Sequence, residues 1–287
     1  MKKLRIATVF SGIGALEESL KQLGIPHTIQ FACDNGERDP KQSLTVLLKV
    51  ALEVLSEEKV RALLIGLIHV IFARKLSNYV FQLDVLDEYD RIIKHAFNEL
   101  KDLSLSEIRE IAKDIDGLYD INYYGVKFSF KLKLNDLADV AKKVLSEDEI
   151  KLFVKAWYKT TKTENAVKKS YLHNYKDVLK NEQWFEDVRF LDGTKFRGKV
   201  DLFMGGSPCQ SFSTYGKKKG FEDTRGTLFF HYADLIDKIR PKVFIYENVV
   251  GLKAHDNGNT WKRINEVFDE LEYTTFVFTL NAKDYGL

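Results

Sequence analysis

The sequence contains little cysteine and has no apolar run long enough to cross a membrane. Its two cysteines, Cys33 and Cys209, are too few for a disulfide framework and are typical of a reducing compartment. The longest apolar run, Ala62–Ala73, contains His69 and is well short of the ~20 residues that a membrane helix needs. The charged N-terminal segment Met1–Arg5 leads directly into a short strand pattern, so no signal peptide is predicted. These absences favour a cytoplasmic protein without a membrane segment.

The sequence also lacks a strong excess of charge of either sign. Its net charge of +2 does not by itself indicate a protein that binds nucleic acid, for which a basic excess is usual. A length of 287 residues with 45% hydrophobic residues is sufficient for one or two domains with a substantial core. The composition is therefore compatible with an enzyme core.

Three short apolar segments each lead into residues that can carry chemistry. Arg5–Phe10 leads into a glycine turn, Val200–Met204 leads into a turn that contains Cys209, and Lys242–Tyr246 leads into Glu247. Such runs are typical of buried parallel strands, and open α/β sheets bind ligands at the carboxyl ends of their strands. The sequence therefore predicts that these three strand ends converge on one site.

Another strand, the second in chain order, is predicted at His27–Cys33 and ends at Asp34. An acidic residue at the end of the second strand usually binds a ribose hydroxyl in dinucleotide-type folds. Without further context, Asp34 is equally typical of a turn before Asn35 and Gly36.

The motifs resemble those of the cytosine-C5 DNA methyltransferases of bacterial restriction-modification systems. The resemblance is carried by Phe10–Gly14, Pro208–Gln210, Glu247–Val249, the loop Gly216–Phe230 and Leu280–Gly286. A lone cysteine is by itself more typical of an inert core residue. Within this group of motifs, the resemblance implies that Cys209 is the nucleophile and Glu247 the acid.

The resemblance implies an α/β fold, a Rossmann-like sheet of the S-adenosylmethionine-dependent methyltransferases. It assigns residues 1–40 and 181–287 to a partial catalytic domain. Residues 41–180 are predicted to be a mostly helical insertion of unknown role. In the family, the closing motif is followed by further motifs and a target-recognition domain. We therefore expect a sheet that is incomplete at its C-terminal end, with Thr274–Leu280 as a strand lacking one neighbour, and no target-recognition domain.

The predicted insertion shows helical periodicity over most of its length. The predicted helices are Ser43–Leu55, Lys59–Leu76, Leu83–Leu100, Ser104–Asp114, Leu134–Leu145 and Asp148–Tyr158. One segment, Gly117–Lys133, alternates as a hairpin does. The residues of the insertion leave three roles open for it: covering the sheet, docking a partner chain, or contacting DNA through Lys159, Lys162, Lys168 and Lys169.

S-adenosyl-L-methionine is the cofactor that the resemblance implies, and no metal site is predicted. Phe10 would stack on the adenine, Asp34 would bind the ribose, and Asp187 would accept a hydrogen bond from the adenine amino group. The full predicted cofactor-binding group is Phe10, Gly12, Gly14, Asp34, Asp187, Val188, Gly206, Pro208, Leu228 and Asn281.

The chemistry of cytosine explains why a thiol and a carboxylic acid are needed. The C5 carbon is a poor nucleophile until a thiolate, here from Cys209, adds at C6. Negative charge then develops toward N3, where Glu247 as a neutral acid can donate, and burial would raise its pKa for that role.

The target base lies inside the duplex, so it must be flipped out before it can react. The loop Ser211–Gly226 is the expected lid. A lysine triplet alone is typical of a solvated turn, but a loop that closes over DNA can use it to neutralise phosphates. The predicted DNA contacts are Ser213, Lys217, Lys218, Lys219 and Arg225.

Three hypotheses follow from this reasoning. The chain is one subunit of a split methyltransferase, a heterodimer completed by a second polypeptide that brings the missing motifs and target-recognition domain. Alternatively, it is a truncated, inactive product that at most binds cofactor. The third hypothesis is a non-catalytic binding or regulatory protein that uses the same fold. An RNA methyltransferase of the same superfamily is a further alternative, but the loop Gly216–Phe230 resembles the DNA enzymes far more closely.

Overall fold

The computed structural model describes residues 3–36, 38, 40, 42–80, 103–117, 121–123, 126–128, 132–161, 163–177, 179–208 and 228–285. The chain forms two compact units. Met1–Gly36 and Asn165–Leu287 form the first, and Glu37–Glu164 forms the second. The second unit overlaps the insertion predicted at 41–180, whereas residues 165–180 lie with the first unit. The functional meaning of this division remains a prediction.

Strands and helices alternate in the first unit, while helices dominate the second. The strands are β1 Leu4–Val9, β2 His27–Cys33, β3 Ile121–Tyr123, β4 Val126–Phe128, β5 Trp184–Phe185, β6 Leu202–Gly205 and β7 Val243–Tyr246. The helices are α1 Ala15–Gln22, α2 Leu44–Val54, α3 Glu57–Val80, α4 Leu105–Gly117, α5 Leu134–Val144, α6 Glu147–Tyr158, α7 Ala166–Tyr175, α8 Leu228–Ile239 and α9 Asn259–Glu270.

The first unit is built on a parallel sheet. Within the described residues its strand order is β5-β2-β1-β6-β7, and each neighbouring pair is parallel. The central strand β1 has its last four residues buried, as expected for a parallel strand covered on both faces. This sheet confirms the predicted α/β, Rossmann-like fold.

The two faces of the sheet contribute to separate apolar clusters. Ile6 of β1 packs with Leu20 of α1 and Tyr171 of α7. On the other face, Ala7 and Val9 belong to a cluster that includes residues of α8 and α9. Alternating side chains of one strand therefore stabilise both layers, which holds the carboxyl end of β1 between them.

The second unit is a group of helices with one small hairpin. The predicted helices near 43–55, 59–76, 104–114, 134–145 and 148–158 are confirmed by α2 to α6, whereas Leu83–Leu100 lies outside the described residues. The predicted hairpin is confirmed by the antiparallel pair β3 and β4. Helix α6 begins with a capping box between Ser146 and Glu149. None of the described helices combines the length and apolarity that a membrane crossing requires.

The structure corrects one predicted element and adds one helix that was not predicted. Thr274–Leu280 is not a strand: Phe276 is 77% exposed, Phe278 is 76% exposed and Leu280 is 69% exposed. A strand needs a hydrogen-bonded neighbour, and no described strand pairs with this segment. In addition, α7 was not predicted, because its inward-facing residues are mainly Tyr171 and Tyr175, which form too short an apolar stripe to recognise.

Candidate cofactor and catalytic site

The turn after β1 exposes backbone at the carboxyl end of the sheet. Phe10, Gly12 and Gly14 all have positive φ values, of 53°, 54° and 96°. A Cβ atom on Gly12 would meet nothing within 4 Å, so a ligand can approach this backbone closely. Phe10 is strained at its positive φ and packs partly against the core, as turn residues at functional sites often do.

Ser11 fastens this turn to the neighbouring strand β2. Its backbone amide donates to the Cys33 carbonyl at 3.2 Å, and its Oγ accepts from the Cys33 amide at 3.1 Å. The Ser11 Oγ also lies 2.8 Å from Oγ1 of Thr8. These bonds fix the ends of β1 and β2 relative to each other.

Asp34 lies directly beside the glycine turn. Its Oδ2 accepts from the Gly12 amide at 3.0 Å, and its Oδ1 accepts from the Gly36 amide at 2.8 Å. An ionised carboxylate offers about four acceptor positions, so these bonds leave capacity for the hydroxyls of a ligand. The structure thus brings two predicted cofactor residues, Gly12 and Asp34, into direct contact.

Asp187 follows β5 and is buried in an ion pair with Arg189. Its Oδ1 accepts from the Arg189 amide at 3.0 Å and from Nε at 2.8 Å. Its Oδ2 accepts from Nη2 at 2.7 Å. An adenine amino group at this carboxylate would therefore share it with the guanidinium. Val188, beside it, is buried in the core cluster.

The environment of Cys33 shows which of the two cysteines is inert. Cys33 is 1% exposed. Burial, followed by the negative charges of Asp187, Asp34 and Glu186, raises the pKa of its thiol well above the ordinary value. Because the thiolate is the reactive form, Cys33 is a structural residue.

The ends of β6 and β7 bring Glu247 against the start of the cysteine-containing turn. The Glu247 amide donates to the Gly205 carbonyl at 3.0 Å. A Cβ atom on Gly206 would lie 2.7 Å from the Glu247 carbonyl oxygen and 2.8 Å from its Oε2. Only glycine leaves room for the carboxylate here, so the Glu247 side chain lies directly over Gly206.

The following residues are held by hydrogen bonds from the same strand end. Ser207 Oγ lies 2.7 Å from the Tyr246 hydroxyl. Asn248 Nδ2 donates to the Ser207 carbonyl at 2.9 Å and to the Tyr246 hydroxyl at 3.1 Å. The chain that leads into Pro208 is thereby fixed relative to Glu247.

Comparison with known proteins shows which family the chain is similar to. Residues 149–287 match the sequence model of the C-5 cytosine-specific DNA methylases. The resemblance drawn from the motifs is thereby confirmed. The chain is similar to the orphan methyltransferase M.SPRI of Bacillus phage SPR, with 46% identity over 40% of the chain. It is also similar to the type II methyltransferases M.Eco47II of Escherichia coli, 40% identical over 54% of the chain, and M.HhaI of Haemophilus parahaemolyticus, 48% identical over 30%.

The matched segments span 25%, 39% and 27% of the lengths of these three methyltransferases. The chain therefore spans well under half of each of these relatives. What each relative does as a whole protein bears on this chain only as a proposal.

Several residues that the resemblance to the C-5 cytosine-specific DNA methylases implicates lie outside the described residues. They are Cys209, Ser213, Lys217, Lys218, Lys219 and Arg225. Their roles stay predictions.

Among the other predicted residues, Glu247 differs from our expectation. It is exposed, not buried, because β7 is the outermost strand of the described sheet. Pro208 is exposed and Leu228 is partly buried at the start of α8. Asn281 is exposed, and its Oδ1 accepts from the Lys283 amide at 3.2 Å.

Sequence reasoning missed several polar residues that hold the methylase-like site together. They are Ser11, Tyr246, Asn248, Asn165 and Tyr175. Asn248 belongs to the recognised Glu247–Val249 motif, and Ser11 to the glycine turn, so each carried a weak local signal. The others act through partners that are distant in sequence, which no local pattern reveals.

Proposed function

We propose that this chain supplies the cofactor site and the catalytic residues of a DNA (cytosine-5-)-methyltransferase. The reaction is methyl transfer from S-adenosyl-L-methionine to C5 of a cytosine that is flipped out of duplex DNA. The contact of Glu247 with Gly206, at the start of the turn that contains Cys209, is the observation that carries the proposal. This contact supports the proposal because it holds a carboxyl group beside the segment that leads to Cys209.

In this proposal Cys209 acts as the nucleophile. Its thiolate forms a bond to C6 of the cytosine while Glu247, in its protonated form, donates a hydrogen bond at N3. The electron pair displaced toward C5 makes that carbon nucleophilic. When bound, S-adenosyl-L-methionine supplies an electrophilic methyl group on its sulfonium. C5 takes up this methyl group as the bond from the methyl group to the sulfonium breaks and leaves a neutral thioether. The C5 proton then passes to water and the bond from sulfur to C6 breaks, which restores the aromatic ring and frees the Cys209 thiolate.

The choice of Cys209 is supported by the state of the other cysteine. Cys33 is buried and the pKa of its thiol is raised, so it cannot present a thiolate to the cytosine ring. The chain contains two cysteines, and Cys209 is therefore the remaining candidate.

The cofactor proposal is supported by the fit of the turn after β1 and of Asp34. Gly12 has open space above its Cα, and the Asp34 carboxylate retains acceptor capacity for ribose hydroxyls. At Asp187 an adenine amino group would share the carboxylate with Arg189. The proposed cofactor group is Phe10, Gly12, Gly14, Asp34, Asp187, Val188, Gly206, Pro208, Leu228 and Asn281.

Double-stranded DNA is the proposed substrate, contacted through Ser213, Lys217, Lys218, Lys219 and Arg225. A lysine cluster on a closing loop neutralises phosphates, and its contribution weakens as the salt concentration rises. This local charge supports DNA binding better than the chain's net charge of +2 does.

We also propose a second polypeptide as a partner, which would make the enzyme a cytoplasmic heterodimer of a restriction-modification system. Support comes from exposed apolar residues of the first unit: Val243 and Ile245 of the edge strand β7 are 55% and 42% exposed, and Phe276 is 77% exposed. Within the described residues, the outer edge of β7 has no paired strand. Edges and apolar patches of this kind are usually covered. The partner would carry the target-recognition domain.

The test is transfer of a labelled methyl group to mixed-sequence duplex DNA. The chain is assayed alone and together with the product of the neighbouring reading frame. Cys209→Ala removes the proposed nucleophile, and Cys33→Ala is the matched control because it removes the other thiol. Activity that needs both polypeptides, survives Cys33→Ala and disappears in Cys209→Ala is the expected result.

Other outcomes point to the alternatives. Cofactor binding without methyl transfer in any combination would favour an inactive, cofactor-binding chain. Absence of both cofactor binding and methyl transfer would favour a non-catalytic protein that uses the same fold.

A further inference from the structure

Helix α7 contacts both segments that form the best-defined part of the proposed cofactor site. The Tyr175 hydroxyl, at its C-terminal end, donates to the Gly14 carbonyl at 2.7 Å. Asn165, the N-cap residue, donates from Nδ2 to the Asp34 carbonyl at 2.9 Å. Between them, the Tyr171 hydroxyl donates to the buried carboxylate of Glu17 in α1. One helix therefore reaches the glycine turn and the acidic strand end together.

Tyr175 and Gly14 fit each other closely. A Cβ atom on Gly14 would lie 2.3 Å from Cε2 of the Tyr175 ring, so the ring occupies the space that any other residue would need. The Gly14 carbonyl also accepts from the Glu18 amide at 3.0 Å, which is the first bond of α1. Burial raises the pKa of Tyr175 to about 12, so its hydroxyl remains a donor at neutral pH.

Asn165 forms hydrogen bonds through both the oxygen and the nitrogen of its side-chain amide. Its Oδ1 accepts from the Lys168 amide at 2.9 Å and caps α7. Its Nδ2 donates to the Asp34 carbonyl and, at 3.2 Å, to Oε2 of Glu186. Asn165 is 8% exposed, so these bonds form away from bulk water. The start of α7 and the backbone of Asp34 are thus held together.

We propose that Tyr175 and Asn165 are positioning residues for the cofactor site. Tyr175 holds the turn Gly12–Gly14, and Asn165 holds Asp34, so that both ligand-facing segments are fixed by one helix. The identity of the ligand, S-adenosyl-L-methionine, rests on the function proposed above. The proposal that Tyr175 holds the glycine turn is independent of that function.

Tyr175→Phe tests this proposal, and Tyr273→Phe is its matched control. The Tyr273 hydroxyl also donates to a backbone carbonyl, that of Pro241 at 2.6 Å, and forms no hydrogen bond with the described residues of the proposed cofactor group. Each variant loses one hydroxyl and keeps its ring. The stability of each variant is measured by urea denaturation, so that a general loss of stability is recognised.

The first measurement is calorimetric affinity for S-adenosyl-L-methionine and for S-adenosylhomocysteine. We expect Tyr175→Phe to bind both about threefold to tenfold more weakly, the change that one net hydrogen bond produces, with Tyr273→Phe unchanged. Asn165→Ser, which keeps a capping oxygen and loses the amide donor, should also bind more weakly while α7 remains helical by circular dichroism. Equal affinities of Tyr175→Phe and Tyr273→Phe would overturn the proposal.

The second measurement needs no ligand: amide hydrogen exchange at Gly12 and Gly14. Faster exchange in Tyr175→Phe but not in Tyr273→Phe supports the hold on the turn, and equal exchange refutes it. If the wild-type chain binds neither ligand, the proposed cofactor is wrong. The exchange comparison then still decides whether α7 holds the turn.

Discussion

Replacing Asp201 with asparagine tests how the amino ends of the central strands are held together. Asp201 precedes β6 and accepts from Nε of Arg5 at 2.9 Å and from Nη2 at 2.9 Å. It also accepts from the Arg5 backbone amide at 3.0 Å and pairs with Nζ of Lys242 at 2.9 Å. Since Arg5 lies in β1 and Lys242 precedes β7, one carboxylate links three strands at the end opposite the proposed site.

The size of the effect follows from the exposure of each partner. The Asp201 side chain is 8% exposed, that of Arg5 30% and that of Lys242 70%. A bidentate, partly buried pair with Arg5 contributes about 1.5–3 kcal/mol, whereas the exposed lysine adds at most about 0.5 kcal/mol. We expect Asp201→Asn to lower the free energy of unfolding by about 2–3 kcal/mol at pH 7.

The effect should depend on pH in a defined direction. The hydrogen bonds from Arg5, and then from Lys242, lower the Asp201 pKa far below its ordinary value. A lowered folded-state pKa gives stability that is complete above the unfolded-state pKa of about 3.9 and is lost as the pH falls below it. Asparagine does not titrate. The stability difference between wild type and Asp201→Asn should therefore shrink as the pH falls from about 5 toward 2.

Urea denaturation at pH 7, 5 and 3 measures this difference. Asp234→Asn is the control, because Asp234 forms a more exposed pair with Lys238 within one helix. We expect the control to change stability by less than about 0.5 kcal/mol. The reasoning fails if Asp201→Asn is no less stable than the control at pH 7, or if its deficit is the same at every pH.

Three further substitutions or treatments test the site. Gly14→Ala places a methyl group against the Tyr175 ring at a φ of 96°, so we expect a loss of about 2 kcal/mol or more in urea denaturation, and wild-type stability would contradict the packing. Gly206→Ala displaces the Glu247 carboxylate and should slow methyl transfer by the active enzyme on the order of tenfold or more, whereas an unchanged rate would show that this contact is dispensable. Iodoacetamide at pH 8 should leave Cys33 unlabelled in the native chain and should label it after denaturation, and mass spectrometry detects the label. Rapid labelling of Cys33 in the native chain would be inconsistent with the burial and the raised pKa of its thiol.

Local patterns in the sequence determined much of the first unit. The strand predicted at His27–Cys33 matches β2 residue for residue, because a short run that contains Thr, Ile and Phe between turn residues is typical of a strand. The glycine turn and Asp34 were also recognisable, because their residue types and their immediate neighbours indicate a turn and an acidic strand end. Their direct contact follows from the parallel pairing of β1 with β2.

Tertiary structure alone decided the features that depend on distant partners. Thr274–Leu280 has the composition of a strand, but pairing decides whether it becomes one, and no described strand pairs with it. Tyr175 is distant from Gly14 in the sequence and reaches it only because α7 packs on the sheet. The sequence by itself therefore indicated most of the strands and the chemical groups that the protein contains, because these depend largely on neighbouring residues. The fold decided which of those groups meet, because hydrogen bonds and packing act across space rather than along the chain.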